Sequence, residues 1–264
     1  MIEQLRGKWA LVTGASSGIG MAFSRELAAK GVNIVMVARR EKLLQELAHG
    51  LESEFGVSTF VVPADLGQAG AASVLKDAVE KESVQISLLV NNAGSGKWGR
   101  FEDASVDTYE KMLQLNTAAM VALCREFFPD LAAMSPAAVI NVSSQAALQP
   151  VPYMAVYAAS KAFVLNFSQA LWGEWREHGI EVQALIPGPT ETEFDSKAGA
   201  YESAVVDRGT PQAVVEASFR SLGKGKPVVS SVGGIFKQEF FSAMFPRRFV
   251  INTVAGMFKP PKQS

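Results

Sequence analysis

Tyr157 and Lys161 stand four residues apart in an apolar, helix-like stretch, so they share one helix face and can approach each other. A tyrosine phenol titrates near pH ~10, too high for a base at neutral pH. A neighbouring ammonium favours the phenolate and lowers that value. A phenol so tuned can give a proton to a carbonyl oxygen or take one from an alcohol. A second hydroxyl is needed to hold the substrate oxygen. Ser143 and Ser144 follow Asn141 at the end of a strand-like run. Strand alternation forbids both from pointing the same way, and the residues alone do not choose between them.

The other half of the chemistry lies near the N-terminus. Thr13-Gly14-Ala15-Ser16-Ser17-Gly18-Ile19-Gly20 joins a short apolar run to a helical one. Gly14 allows a tight turn, Gly18 lets a diphosphate approach the backbone, and Gly20 lets the helix that opens with Ile19 pack closely on the sheet. The helix N-terminus then offers N–H groups to phosphate oxygens. At the end of the second strand-like run stand Ala38, Arg39 and Arg40, with no Asp or Glu to bond a ribose 2′-hydroxyl. A guanidinium there favours a 2′-phosphate, so the pattern points to NADP(H), with Arg39 as the main phosphate partner and Arg40, Ser16 and Ser17 as further donors. A cationic nicotinamide ring would lower the Tyr157 pKa further.

Elements able to position these groups alternate along the chain. Apolar, β-rich runs at 9–12, 33–38, 59–62, 86–90, 138–142, 180–186 and 227–230 predict seven strands. Helical spacing covers 19–30, 41–54, 68–82, 106–134 and 153–178, with Pro129 expected to kink or end the fourth of these. Gly31 and Gly179 read as helix stops, and Thr210-Pro211 as an N-cap followed by proline at the first helical position, opening a helix to about residue 222. A βαβ series of this length implies a doubly wound α/β domain, a parallel seven-stranded sheet with helices on both faces. Ligands of such sheets sit at the carboxyl ends of the strands, where both motifs fall. The expected organisation is a catalytic domain over 1–232, including a substrate lid at about 190–212, and a hydrophobic and basic extension over 233–264.

Of 264 residues, 48% are hydrophobic and 19% charged, ample for a core, and a net charge of −1 gives no basic stripe for nucleic acid. The single cysteine, Cys124, excludes an internal disulfide and reads as a packing thiol. His49 and His178 stand far apart, so no metal site is expected. No apolar run is long enough to span a bilayer, and the N-terminus lacks a signal-peptide pattern, so a cytoplasmic protein is expected.

Taken together, Thr13-Gly14-x-x-x-Gly18-x-Gly20, Asn91-Asn92-Ala93-Gly94, Asn116, Ser144, Tyr157-x-x-x-Lys161 and Pro187-Gly188 resemble the short-chain dehydrogenase/reductase family, in its order and at its spacings, over about residues 8–229. The resemblance implies a single-domain Rossmann fold, a homodimer or homotetramer built partly on the long helices around Asn116 and Tyr157, and roles residue by residue. Ser144 matches the substrate-orienting serine and is preferred over Ser143. Lys161 would bind the nicotinamide ribose and tune Tyr157. Asn116 would hold a water linking Lys161 to solvent. Asn91, Asn92, Ala93 and Gly94 would pack beside the adenine ribose and steady the central sheet, and Asp65, in Ala64-Asp65-Leu66, would contact adenine. Pro187, Gly188, Thr190 and Thr192 would meet the nicotinamide carboxamide, mainly through Thr192, although Thr190 stands where the family often has an aliphatic residue.

Gly96, Trp98, Phe101, Leu148, Tyr153, Phe194 and Tyr201 are candidates for an apolar pocket, which suits a hydrophobic ketone, aldehyde or 3-oxoacyl group. From residue 233 the chain interleaves aromatic and basic residues (Phe236, Phe240, Phe241, Phe245, Arg247, Arg248, Phe249). Helix breakers interrupt the stretch and favour a packed cover over the pocket or a subunit contact above an interfacial membrane helix. Two rival functions remain: an NADP(H)-binding regulator without turnover, which the intact Asn116, Ser144, Tyr157 and Lys161 argue against, and a membrane-associated lipid reductase.

Overall fold

The computed structural model describes residues 1–199, 208–233 and 235–260. Seven strands form one parallel sheet in the order β3-β2-β1-β4-β5-β6-β7: β1 (Trp9–Thr13), β2 (Asn33–Ala38), β3 (Thr59–Pro63), β4 (Ile86–Asn91), β5 (Ala137–Val142), β6 (Ile180–Ile186) and β7 (Val228–Ser230). The helices are α1 (Gly18–Ala29), α2 (Glu41–Phe55), α3 (Ala71–Lys81), α4 (Val106–Leu113), α5 (Ala119–Ala133), α6 (Ala155–Trp175), α7 (Phe194–Ala198), α8 (Pro211–Ser221), α9 (Ile235–Met244) and α10 (Arg247–Phe258). This is the expected doubly wound sheet. Its order reverses between β1 and β4, which opens a crevice at their carboxyl ends.

Strand alternation divides the core. Val12, Ile34, Met36 and Ile140 join Phe23, Leu27, Leu44 and Val215 on the face covered by α1, α2 and α8. Leu11, Val35, Val37 and Val139 join Leu75, Phe127, Leu131 and Val164 on the face covered by α3, α5 and α6. Cys124 lies inside this second layer, and burial pushes its thiol up to about 12, so it packs as a neutral group.

Helix boundaries depart from the periodicity in three places. The third helix starts at Ala71 rather than 68, because Gly70 precedes it in the left-handed region (φ 79°). The stretch 106–134 is interrupted, but not by proline: a π-turn at Gln114–Ala118 separates α4 from α5, and Pro129 lies inside α5. Phe127 and Leu131 on either side are fully buried, and two such burials, at ~1.5–3 kcal/mol each, offset the ~3 kcal/mol that a mid-helix proline costs. The helix holding Tyr157 starts at Ala155 instead of 153, since Tyr153 takes a left-handed turn (φ 67°), and closes with a 3-10 turn, Arg176–His178, before Gly179. Thr210 caps α8 as expected, accepting from the Ala213 N–H at 3.2 Å.

A third apolar cluster lies at the carboxyl end of the sheet, where Val250 and Val254 of α10 pack with Trp98, Met112, Val151, Met154 and Tyr157. Trp98 stacks on Phe258 at 5.0 Å and donates its indole N–H to the Phe258 carbonyl at 2.9 Å. The inner side of α10 therefore covers this end of the domain. Phe240, Met244, Phe245 and Phe249 remain exposed. No described helix is long and apolar enough to cross a membrane.

Candidate active site

The crevice has two ends, and Thr13 ties them together. Its hydroxyl donates to the Val90 carbonyl (3.2 Å) and accepts from the Asn92 and Ala93 N–H groups (2.9 and 3.0 Å), while the Asn92 side chain donates to the Thr13 carbonyl at 2.9 Å. The ends of β1 and β4 are thereby locked side by side. The glycine turn between β1 and α1 has no room for side chains. A Cβ on Gly20 would fall 2.3 Å from the Gly14 carbonyl oxygen, and one on Gly18 would fall 2.9 Å from the Thr192 methyl group. Ser17, at the N-cap, makes no side-chain bond to the first turn of α1. The first-turn N–H groups, which have no partner within a helix, stay available to an anion. This cradle fits a dinucleotide diphosphate.

Arg39 and Arg40 separate in space. Arg39 is exposed at the end of β2 and in no ion pair among the described residues. Arg40 turns inward: its Nε and Nη2 donate to the Ser16 hydroxyl at 3.2 and 3.1 Å, and its guanidinium pairs with Glu193 at 3.0 Å. Arg40 and Lys197 together hold the Glu193 carboxyl at about 2. Asp65 is exposed and caps its own turn, accepting from the Gly67 N–H at 3.0 Å, and Leu66 is in the core.

At the other end, α6 brings Tyr157 and Lys161 onto one face, with the Lys161 Nζ 5.8 Å from the centre of the Tyr157 ring. The ammonium donates to the Val142 carbonyl at 2.8 Å. The two serines after β5 now part company. Ser143 is buried and donates to the Lys161 carbonyl at 2.8 Å, fixing helix to sheet. Ser144 lies close enough to the Tyr157 phenol to lower its pKa, and it accepts from the Ala146 N–H. The π-turn swings Asn116 inward, where its amide accepts from the Ser95 N–H (2.9 Å) and donates to the Ser95 carbonyl (2.9 Å) and Ser160 hydroxyl (3.0 Å). A Cβ on Gly94 would lie 3.3 Å from Asn116 Oδ1 and 3.4 Å from Lys161 Nζ, so these three residues converge. Beside them is a cavity of about 10 Å³ lined by Thr13, Asn91, Asn116 and Lys161, the room one water needs.

The direction of the tyrosine's shift is the reverse of the expected one. Burial pushes the Tyr157 phenol up to about 12, Ser144 lowers it in part, and Asp195 raises it further. Burial also lowers Lys161 to about 8. A four-residue spacing sets proximity, but the loss of water around each group is the largest cause of its shift. Each is shifted toward its neutral form.

Other expected site residues are placed as follows. Thr192 faces Gly18, whereas Thr190 turns back and donates to the Gly188 carbonyl at 2.8 Å. Gly188 packs against Val232, and the Pro187 carbonyl accepts from the Gln145 N–H. Phe194 lies over the phenol, ring centres 5.2 Å apart, and against Gly96. Trp98, Tyr153 and Phe194 belong to the cluster around Tyr157, and Leu148 is half-buried on the turn after Ser144. Phe101 does not line it: its ring is 63% exposed and stacks on Tyr109. Tyr201 and much of the stretch expected to form the lid lie outside the described residues, and the part before them contains a short helix, α7. Glu193 was not anticipated, since its partner Arg40 is 153 residues away and no local pattern links them.

A glycine cradle at the switch point of a doubly wound parallel sheet, with a serine, tyrosine and lysine converging beyond it, defines a nucleotide-dependent oxidoreductase. The chain belongs to the short-chain dehydrogenase/reductase family: the family model described as short chain dehydrogenase matches residues 8–203. It is 30% identical over 247 residues to the very-long-chain 3-oxoacyl-CoA reductase of Anas platyrhynchos, covering 90% of this chain and 75% of that protein. It is 33% identical over 233 residues to the 7beta-hydroxysteroid dehydrogenase of Collinsella aerofaciens, covering 87% and 88%. A short-chain dehydrogenase from Sphingobium yanoikuyae, solved in complex with NADPH, superposes with a TM-score of 0.81 at 30% identity, covering 90% of this chain and 96% of that one.

Proposed function

We propose that the protein is an NADP(H)-dependent oxidoreductase that interconverts a carbonyl and an alcohol on a hydrophobic substrate, with Tyr157 as general acid and base. The observation that carries this reading is the convergence of the Tyr157 phenol, the Ser144 hydroxyl and Lys161 at the carboxyl edge of the sheet, under an apolar roof of Phe194 and Trp98. A bound NADP(H) supplies the hydride, or accepts it in the reverse direction. In reduction, the Ser144 hydroxyl holds the substrate oxygen and the Tyr157 O–H gives it a proton as the carbon gains hydride. Burial keeps the phenol protonated across the neutral range, so the acid form is ready. Lys161 stabilises the phenolate that results, and a proton returns through the small cavity beside Lys161 and Asn116. Alcohol oxidation runs the same steps backward.

The cluster around Tyr157 is built of apolar side chains such as Trp98, Met112, Val151 and Met154, and the relatives named for 3-oxoacyl-CoA and hydroxysteroid chemistry support a bulky apolar carbonyl. The test is NADPH absorbance against short ketones, steroids and 3-oxoacyl thioesters. Consumption is expected with the bulky apolar members, and a flat trace across the whole panel would reject the reading in favour of a regulator without turnover.

Exposed Arg39 supports NADP(H) over NAD(H), as does the NADPH held by the Sphingobium yanoikuyae relative. Hydrogen bonds to charged groups contribute ~1.5–3 kcal/mol. Arg39→Ala is therefore expected to weaken NADPH about 10- to 100-fold while leaving NADH unchanged. Equal affinity of the wild type for both dinucleotides, by fluorescence titration, would remove Arg39 from the phosphate site.

A further inference from the structure

We infer that Arg40 and Glu193 form a strap that fastens the segment after β6 to the glycine turn and so retains the dinucleotide; this rests on the cofactor reading above. Arg40, at the N-cap of α2, reaches in two directions. Its Nε and Nη2 hold the Ser16 hydroxyl on the glycine turn. Its Nη2 and Nη1 meet the two carboxylate oxygens of Glu193, at 3.0 and 3.3 Å. Lys197, one turn along, holds the same carboxylate at 2.6 Å, and the Asp195–Arg208 pair at 2.9 Å anchors the segment from its other side.

The strap lies beside a direct contact between the two walls. Thr192 sits against Gly18, and next to that contact a cavity of about 400 Å³ opens, lined by Ser17, Gly18, Met21, Thr192 and Glu193 among others. The geometry divides the labour of the two arginines. Arg40, expected as a second phosphate donor, already has protein partners for its guanidinium, whereas Arg39 is exposed at the end of β2. A fork–fork contact fixes orientation as well as proximity. Both side chains of the pair are about half exposed, 36% and 48%, and exposed pairs of this kind are weak enough to open and re-form during exchange.

A strap differs in its readout from a phosphate ligand. It ties the two walls whether or not the dinucleotide carries a 2′-phosphate. Stopped-flow release and fluorescence titration of NADPH and NADH are measured on wild type, E193Q, R40Q, the double variant and R39A, with melting temperatures alongside. Glu193→Gln and Arg40→Gln are each expected to raise the release rate and Kd of both dinucleotides, about two- to fivefold. The double variant should lose no more than either single one, because one contact is broken in all three. Selective tightening of NADPH by E193Q would mean that Glu193 competes with the phosphate, and would overturn the strap. Unchanged release in E193Q would overturn it as well. A wild type that binds neither dinucleotide fails the cofactor reading itself, and selective loss of NADPH in R39A upholds that reading whatever E193Q does.

Discussion

Tyr157→Phe is expected to lose turnover of every substrate the wild type reduces, by about 10²- to 10⁴-fold in kcat, the usual contribution of a positioned acid or base. NADPH affinity should stay as it is. The substitution removes one oxygen and leaves the ring, which packs on Phe194 and within the cluster of Trp98, Met154 and Val250. Ser144 retains its bond from the Ala146 N–H, so the turn that carries it has its own support. The melting temperature should therefore match that of the wild type, and the loss should fall on kcat. Steady-state kinetics with NADPH titration in parallel check both halves. A variant that keeps full activity would show that the proton comes from elsewhere, and one that loses NADPH affinity along with turnover would make Tyr157 a structural support.

The residues that were legible in the sequence are those whose neighbours are local in the chain. Tyr157 and Lys161 meet because a helix repeats every 3.6 residues, and the glycine turn shows because its three glycines, Gly14, Gly18 and Gly20, fall close together where a strand passes into a helix. The seven strands were legible because a sheet buried on both faces needs continuous apolar runs. What stayed hidden depends on contacts that close over long loops. Ser143 and Ser144 are equivalent until β5 and α6 dock, after which one bonds the Lys161 carbonyl and the other meets the phenol. The π-turn at Asn116 has no glycine or proline to announce it; the inward amide bonds to Ser95 and Ser160 hold it in place. Phe101 is as aromatic as Trp98, yet only Trp98 has α10 above it. The sign of the Tyr157 shift followed the same rule, since spacing reveals which groups are close but not how far water is from both.

Lys161→Met is expected to inactivate the enzyme and also to change how its stability depends on pH. Lys161 is 6% exposed, and no carboxylate contributes to its shift; burial alone lowers it from 10.5 to about 8. Between those two values the unfolded chain holds a proton that the folded chain has released. Stability then rises with pH across the window, and it falls as pH drops through 8, where the fold must carry a buried ammonium. The full shift corresponds to about 3 kcal/mol. Tyr157 runs the other way in a higher window: its raised pKa favours the fold below pH 10 and loses that effect as pH rises toward 12, so comparison below pH 10 isolates the lysine. Methionine matches the lysine chain in length and is neutral at every pH. It leaves the Val142 carbonyl without its donor, a cost of ~1–3 kcal/mol that does not change with pH. At pH 7 that cost and the relief from the buried charge nearly offset, and the variant should melt close to the wild type. Toward pH 10 the wild type gains and the variant does not, so the difference between their urea-unfolding free energies should widen by about 2–3 kcal/mol. A difference that stays flat from pH 7 to 10 would mean that the ammonium is solvated in the fold, and the lysine would then tune nothing through burial. A widening difference together with lost turnover would show a charge kept inside the domain against its stability, as a site selected for chemistry rather than for folding requires.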